Sequence, residues 1–311
     1  MKRKVIRQGH NTLTLTLPLK WAKRFNVQPG CELEVKEGDS SLVILPGGDL
    51  PELSATVDIS GLDRCSILYI VRNLYRTGYD EIELKFNTRW TPYYRIGVDL
   101  KTISVIKYEL MNLIGYEVVE QGASHTKIKD ISALKSNDFD NILRRIFLLL
   151  NECGKDLLEG LQNKDVDLVN SIQEKHNIIT KFVSYCLRLL NKFSYDAKEK
   201  KDILYHVIAS LDKIADVYKN VSRDTIHLKP RVTKKTKDYL RIVTDSMEDY
   251  TQYFYKFDRK KMIKLNQDRD NFIKGLRNDL MSLSKEEIIL IKGMQQILEV
   301  IADLIVARME I

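Results

Sequence analysis

The stretch NTLTLTLPLKWAKRF, residues 11–25, changes its hydrophobic pattern half-way. Thr and Leu alternate from Thr12 to Leu17, and this period of two is typical of a half-buried strand. Pro18 then interrupts the alternation, because proline holds the residue before it in an extended conformation and is itself favourable in a first helical turn. We therefore predict a strand that ends at Pro18 and is followed by a short, basic helix.

The same region carries the chain's charge imbalance. Residues 1–31 contain no Asp or Glu, and their seven cations equal the whole formal excess of 50 Lys and Arg over 43 Asp and Glu. Because these cations are interleaved with a strand pattern, they predict a structured electropositive surface, which attracts phosphate backbones or other anionic partners. The seven are Lys2, Arg3, Lys4, Arg7, Lys20, Lys23 and Arg24.

The first predicted segment, residues 1–48, is small. After the basic helix come turn signals at QPG and EGDSS, with short strands CELEV and SLVIL around them. Short strands and one small helix bury too little surface to be stable alone. We therefore expect this segment to pair with a second copy of the chain.

Residues 9–35 resemble the swapped-hairpin DNA-binding domain of the AbrB, MazE and SpoVT group. In that family two chains interleave their hairpins, and the combined basic face lies against DNA. The resemblance implies a homodimer through this domain that binds double-stranded DNA with the seven cations named above. Cys31 stands where the family usually has an acidic residue, and His10 and Asn11 follow the loop glycine, where the family often has Arg. The matching positions are Gly9, Leu17, Pro18, Pro29, Gly30, Leu33 and Val35.

The second predicted segment, residues 50–133, has an α/β pattern. Strand-like SATVDIS and DEIELKF flank the helical LDRCSILYIVRNLYRTG. The plan recurs, because residues 57–59 align with residues 98–100 and Gly78-Tyr79 aligns with Gly115-Tyr116. This repeat predicts two β-α-β units and a last strand, HTKIKDIS, in a small domain with helices packed on a sheet.

The third predicted segment, residues 136–311, has helical periodicity throughout. Its third and sixth helices form a repeat in which Asp212 aligns with Glu299 and Asp216 aligns with Asp303. We therefore predict two tandem three-helix bundles and, for the whole chain, a multidomain α+β fold. The predicted helices span roughly 137–162, 165–192, 200–225, 233–257, 259–282 and 284–310.

The aligned carboxylates are candidate metal ligands. Each pair is four residues apart and therefore lies on one helix face. One such pair alone also fits a solvated helix face, but recurrence in two repeats favours a hard-cation site, which needs several carboxylate oxygens. The candidates are Asp212, Asp216, Glu299 and Asp303.

The segments LDKIADVYKNV and LEVIADLIVAR resemble the signature of PhoU proteins, which closes each of two three-helix bundles. PhoU proteins accompany phosphate-specific transporters and their signalling, and in some of them the signature carboxylates hold clusters of metal ions. The resemblance implies divalent, iron or zinc ions at the four carboxylates, and phosphate transporter or signalling components as partners. Ala215 and Ala302 replace the usual Gly of the signature, and Lys213 and Val300 occupy its usual Arg position.

Other features exclude classes of protein. The apolar runs are far shorter than the roughly 20 residues that span a bilayer, and no signal peptide is evident, so we expect no membrane insertion. The four cysteines form no CxxC pair, which fits a reducing cytoplasm. No spacing indicates catalytic residues, so we do not expect an enzyme. A second basic cluster is interpreted as a solvated connection between helices: Arg231, Lys234, Lys235 and Lys237.

Together these patterns predict a cytoplasmic DNA-binding transcriptional regulator of phosphate uptake and phosphate homeostasis, with the helical segment as sensor or partner-binding module. One alternative is a PhoU-type accessory protein of a phosphate transporter that does not bind DNA and whose hairpin only dimerises the chain. Another is an antitoxin-like binding module, since the same N-terminal fold serves in that role.

Overall fold

The structure is a computed structural model that describes residues 2–9, 12–37, 42–46, 52–132, 138–192 and 198–310. The chain divides into two compact units, Met1–Ser54 and Ala55–Ile311. The second unit contains both the α/β segment and the helical segment of the sequence prediction. No helix in the described residues is both long enough and apolar enough to cross a bilayer.

In its described residues the N-terminal unit has two antiparallel hairpins, with a short helix between them along the chain. Strands β1 (Val5–Gln8) and β2 (Thr12–Leu15) pair, as do β3 (Leu33–Glu37) and β4 (Leu42–Pro46), with helix α1 (Leu19–Arg24) between the pairs. Pro18 is the N-cap residue of α1, with φ −64°. The predicted change from strand to helix at Pro18 is therefore confirmed.

The α/β part of the second unit begins with one β-α-β crossover, formed by β5 (Ser54–Asp58), α2 (Arg64–Thr77) and β6 (Glu81–Lys85). Strands β5 and β6 run in the same direction. The hydroxyl of Thr56 donates to the side chain of Glu83, and the amide of Ile59, directly after β5, donates to the main-chain oxygen of Lys85 at the end of β6. Asp63 caps the start of α2, and Gly78 ends it in a left-handed conformation with φ +104°, which glycine adopts without a side-chain penalty.

The second predicted β-α-β unit differs from the first. Its elements are β7 (Trp90–Tyr93), β8 (Val98–Lys101), α3 (Thr102–Leu110), β9 (Tyr116–Gln121) and β10 (His125–Asp130). The four-stranded sheet has the order β5-β6-β10-β9, whereas β8 pairs with β7 in a separate hairpin. The turn of that hairpin contains Gly97 with φ +66°, and Val98 and Asp99 are exposed. A strand without a buried face has nothing to hold it in the central sheet.

The six predicted helices of the third segment are confirmed within a few residues. Helices α4, α5 and α6 pack on one another, and α7, α8 and α9 do the same. Helix α6 also packs on α9, and α4 packs on α7. The helices are α4 (Phe139–Asn163), α5 (Val166–Lys192), α6 (Lys198–Leu228), α7 (Lys234–Tyr255), α8 (Arg259–Asp279) and α9 (Lys285–Met309).

Helix α5 lies between the α/β part and the helical part. It packs against α2 on one side and against α4 and α6 on others. Every residue from Val183 to Leu190 is consequently buried, and a helix that is buried all round belongs to the interior of a larger body.

Candidate functional sites

The first hairpin of the N-terminal unit exposes an apolar strip. In its register Val5 lies opposite Leu15 and Arg7 lies opposite Leu13, so these four side chains share one face. Val5, Leu13 and Leu15 are 60%, 70% and 50% exposed. A single copy of the unit therefore leaves uncovered the leucines that the alternating pattern predicted to be half-buried.

The predicted DNA-binding cations lie on the hairpin and on α1. Lys20 and Lys23 are exposed and three residues apart, so they occupy one face of the helix. The rings of Trp21 and Phe25, with centroids 5.2 Å apart, are half-buried. Because the half-buried aromatic side chains occupy another part of α1, its exposed lysines are available to an anionic surface.

The remaining predicted cations fall into two groups. The side chains of Lys2, Arg3, Lys4 and Arg7 are exposed on β1 and the segment before it. Arg24 is placed in α1 by its backbone only. His10 and Asn11, in the loop of the first hairpin, lie outside the described residues.

The first predicted carboxylate pair, on α6, is held by ion pairs and hydrogen bonds. Asp212 lies 3.3 Å from Arg76 Nη2 of α2 and accepts a hydrogen bond from Thr180 of α5 at 3.2 Å. Asp212 therefore joins a residue of the α/β part to the helical part.

Asp216, one turn later, has different partners. Its Oδ1 lies 3.0 Å from Nε2 of His176 on α5, and it forms an ion pair with Lys219. The hydrogen bond with His176, together with Lys219, holds the pKa of Asp216 well below its usual range despite partial burial. Asp216 consequently remains a charged acceptor.

The second predicted pair, on α9, differs from the first. Arg269 of α8 contacts Glu299 at 2.5 Å, and Gln295 donates to the same carboxylate at 3.1 Å. Asp303 is exposed. The two repeats thus share their carboxylates but differ in the side chains that neutralise them.

These carboxylates do not assemble into a metal-binding group in this geometry. Within the described residues, no three or more His, Cys, Asp or Glu side chains converge as ligands. Three of the four carboxylates already contact cationic side chains, namely Arg76, Lys219 and Arg269. A metal ion would have to displace these cations, so the metal site remains a prediction.

Helix α5 carries a polar stripe that was not predicted from the sequence. Thr180, Ser184 and Arg188 follow one another at four-residue spacing. Ser184 accepts a hydrogen bond from Arg76 of α2 at 3.1 Å, whereas Thr180 donates to Asp212 of α6. A charged residue inside the otherwise apolar run CLRLL was the available signal, because an arginine there needs a buried partner.

Arg188 is the centre of this stripe, and its side chain is fully buried. Its Nη1 donates to the main-chain oxygens of Tyr75 and Tyr79 at 2.9 and 2.7 Å. Its Nη2 donates to Asp80 at 3.0 Å and to Asp130 at 2.6 Å. One guanidinium therefore binds the end of α2, the start of β6 and the end of β10 to α5.

Fold and sites together define a class of chain. It has a basic double-hairpin unit at its N-terminus and a larger unit, in which ion pairs with α5 and α6 join an α/β part to a helical part with six helices in the described residues. Residues 6–51 match the family model described as Antidote-toxin recognition MazE, bacterial antitoxin. The match supports the swapped-hairpin type of N-terminal domain, which suggests a DNA-binding or antitoxin-like regulator. No curated protein and no solved structure gives a match.

Proposed function

We propose that this chain is a dimeric DNA-binding transcriptional regulator of phosphate uptake. The observation that carries the proposal is the N-terminal unit, in which the family match at residues 6–51 coincides with the acid-free basic stretch. The exposed Arg7, Lys20 and Lys23 are suited to contact phosphates.

In the proposed mechanism two copies cover each other's apolar strips and join their basic faces. Each Lys or Arg that neutralises a DNA phosphate releases condensed counterions, so affinity falls steeply with salt. Such contacts position a protein on the duplex without reading its sequence.

The helical part is proposed as the sensor or partner-binding module. Support comes from the PhoU-like signature at equivalent places on α6 and α9, and from the packing of the six helices in two sets of three. The contact between Arg76 and Asp212 offers a route by which a change at the signature of α6 reaches the α/β part.

A salt titration on duplex DNA tests the proposal. The slope of log affinity against log salt is about −0.9 per phosphate contact. Arg7→Ala/Lys23→Ala removes four cations from a dimer, so we expect a slope shallower by about 3 to 4 and weaker binding at every salt concentration. Fluorescence anisotropy with labelled duplex DNA measures both quantities.

The matched control is Lys260→Ala/Lys274→Ala, which removes two exposed cations from α8 and should leave the slope unchanged. Absence of binding at low salt, or equal slopes for wild type and the Arg7/Lys23 variant, would reject the regulator. The accessory-protein alternative would then be favoured.

An antitoxin-like module is the second candidate, because the matched family model carries that description. Antitoxin function requires a toxin polypeptide that binds this chain. Co-purification of one stoichiometric polypeptide whose toxicity the chain suppresses would favour this candidate, and DNA binding without such a partner would favour the regulator.

Metal binding at the carboxylate pairs remains part of the proposal through the PhoU resemblance alone, and no step of the mechanism depends on it. Elemental analysis of the wild type beside Asp216→Asn/Asp303→Asn tests it. Metal that is present in the wild type and lost in the variant would support the site, and equally negligible metal in both would remove it.

A further inference from the structure

A cavity of about 860 Å³ lies beside the connection that leads from the first set of three helices to the second. Its walls come from the turn between α4 and α5, from the end of α6, and from the connection between α6 and α7. We call it the junction cavity. Its volume falls within the range of small-molecule binding sites, about 300–1,000 Å³.

Cations dominate the charged groups of the junction cavity. Four cations line it against the single acid Asp165, whose carboxylate accepts a hydrogen bond from Leu168 N at the start of α5. No salt bridge joins these cations to another side chain in the described part of the chain. An anion is therefore the complementary charge. The four cations are Lys164, Lys229, Arg231 and Lys237.

Two of these lysines adopt an unusual backbone conformation. Lys164 and Lys229 have φ values of +56° and +47°, in the left-handed region that favours glycine. Lys164 ends α4 and Lys229 follows the last residue of α6, positions where glycine is the common residue. Lysine stands at both positions despite its conformational cost, and both residues line the same cavity.

The interior of the cavity is apolar except for one hydroxyl group that has no hydrogen-bond partner in the described residues. Side chains such as Leu161, Val169 and Ile226 line it. Thr225 also lines it and is 8% exposed, and its buried Oγ1 has no hydrogen-bond partner in the described part of the chain. No aromatic side chain is among the described lining residues, so the site offers no stacking surface for a nucleobase.

We propose that the junction cavity binds a small anion with an aliphatic body, whose carboxylate or phosphate group meets the rim cations while its hydrocarbon part fills the interior. Thr225 supplies a hydroxyl to a polar atom of the ligand. The ligand contacts both sets of helices, because Lys237 belongs to α7, while the other walls belong to the first set and to the connection between α6 and α7. Bound ligand would therefore bias the packing of one set on the other.

Isothermal titration calorimetry of the full-length chain without DNA tests this binding independently of the proposed regulator function. The probes are octanoate and octyl phosphate, with inorganic phosphate as the head group alone and 1-octanol as the aliphatic part alone. We expect saturable binding of at least one amphiphile, at least tenfold tighter than that of either fragment. The tighter of the two amphiphiles identifies the head group.

The decisive variant is Lys164→Gly/Lys229→Gly. Glycine relaxes both left-handed positions, so we expect an unchanged or higher melting temperature together with at least tenfold weaker binding of the amphiphile. Arg231→Gln/Lys237→Gln should weaken binding similarly, whereas the control Lys260→Gln/Lys274→Gln should bind as the wild type does.

Three results would overturn the proposal. They are no saturable binding of either amphiphile, equal affinity in the wild type and the double-glycine variant, and binding of inorganic phosphate as tight as that of octyl phosphate.

Discussion

Arg188 illustrates how a single residue joins two parts of the larger unit. Its guanidinium bonds to two main-chain oxygens and to two carboxylates, and it lies over the ring of Tyr75 at 4.9 Å. Lysine has no equivalent of this planar group, which bonds in several directions and stacks at the same time. The position is therefore specific for arginine.

We predict that Arg188→Met destabilises the protein by about 3–5 kcal/mol, because it removes a fully buried cation from two buried carboxylates. Of these, Asp80 keeps Lys192, and Asp130 keeps hydrogen bonds from Ser132. Urea unfolding followed by circular dichroism measures the loss.

The control is Arg241→Met, whose exposed ion pair with Asp238 should be worth no more than about 0.5 kcal/mol. A midpoint for Arg188→Met equal to that of the control would contradict the assigned role.

The buried carboxylate of Glu287, at the start of α9, should make the stability of the protein depend on pH. It is 2% exposed, and burial alone would raise its pKa. Hydrogen bonds from Thr236, Ser284 and Thr233 outweigh that effect and lower the pKa to about 2. The folded pKa is below the unfolded value of about 4.3, so Glu287 stabilises the fold above pH 4.3, and this contribution disappears as the pH falls through 2.

We expect Glu287→Gln to destabilise the protein at pH 7, on the order of 2 kcal/mol, with a difference that shrinks as the pH approaches 2. Urea midpoints measured from pH 7 to pH 2 test the trend. Glu286→Gln removes a carboxylate from the same first turn without touching these hydrogen bonds and serves as the control. A wild-type advantage that persists at pH 2 would show that the charge of Glu287 is not its cause.

At the scale of elements, the first hairpin is an incomplete structure in a single copy. Strands β1 and β2 have one face with Val5, Leu13 and Leu15 at least half exposed. A two-stranded hairpin is marginal in water without a further layer on its apolar face. A second copy is the partner that the N-terminal family match favours.

We predict that Leu13→Ser/Leu15→Ser converts the dimer into monomer and abolishes tight DNA binding. Each Leu that the dimer buries contributes about 1.5–3 kcal/mol. Sedimentation equilibrium measures the oligomeric state, and Leu280→Ser/Met281→Ser, on the exposed turn after α8, is the control. A wild-type chain that is already monomeric, or a variant that remains dimeric, would show that this face is not the interface.

The elements also show which patterns are predictive. The helices of the third segment could be predicted from apolar periodicity, because the residues that each helix buries recur at helical spacing in its own sequence. The sheet to which β8 belongs could not be predicted, because the sequence VDLK fits the central sheet and a peripheral hairpin equally well. Only the pairing of Tyr93 with Val98 decided between the two.

At the scale of the whole molecule, the chain consists of two units, and the proposed DNA-binding surface belongs to the smaller one. We predict that a chain of residues 55–311 remains folded and helical, because its core and its buried ion pairs are internal to that unit. It should lose DNA binding altogether. Circular dichroism melting tests the first statement, and fluorescence anisotropy with duplex DNA tests the second. If the shortened chain bound DNA with an unchanged salt slope, the DNA-binding surface would belong to the larger unit.

The sequence alone determined the basic N-terminal hairpin unit, the six helices and the positions of the paired carboxylates. These features depend on local periodicity, turn residues and charge spacing, which are properties of neighbouring residues. Only the tertiary structure decided that Asp212 meets Arg76, that Arg188 binds Asp80 and Asp130, and that Lys164 and Lys229 flank one cavity. Such partners are far apart along the chain, and their contacts depend on how complete elements pack, which no local pattern encodes.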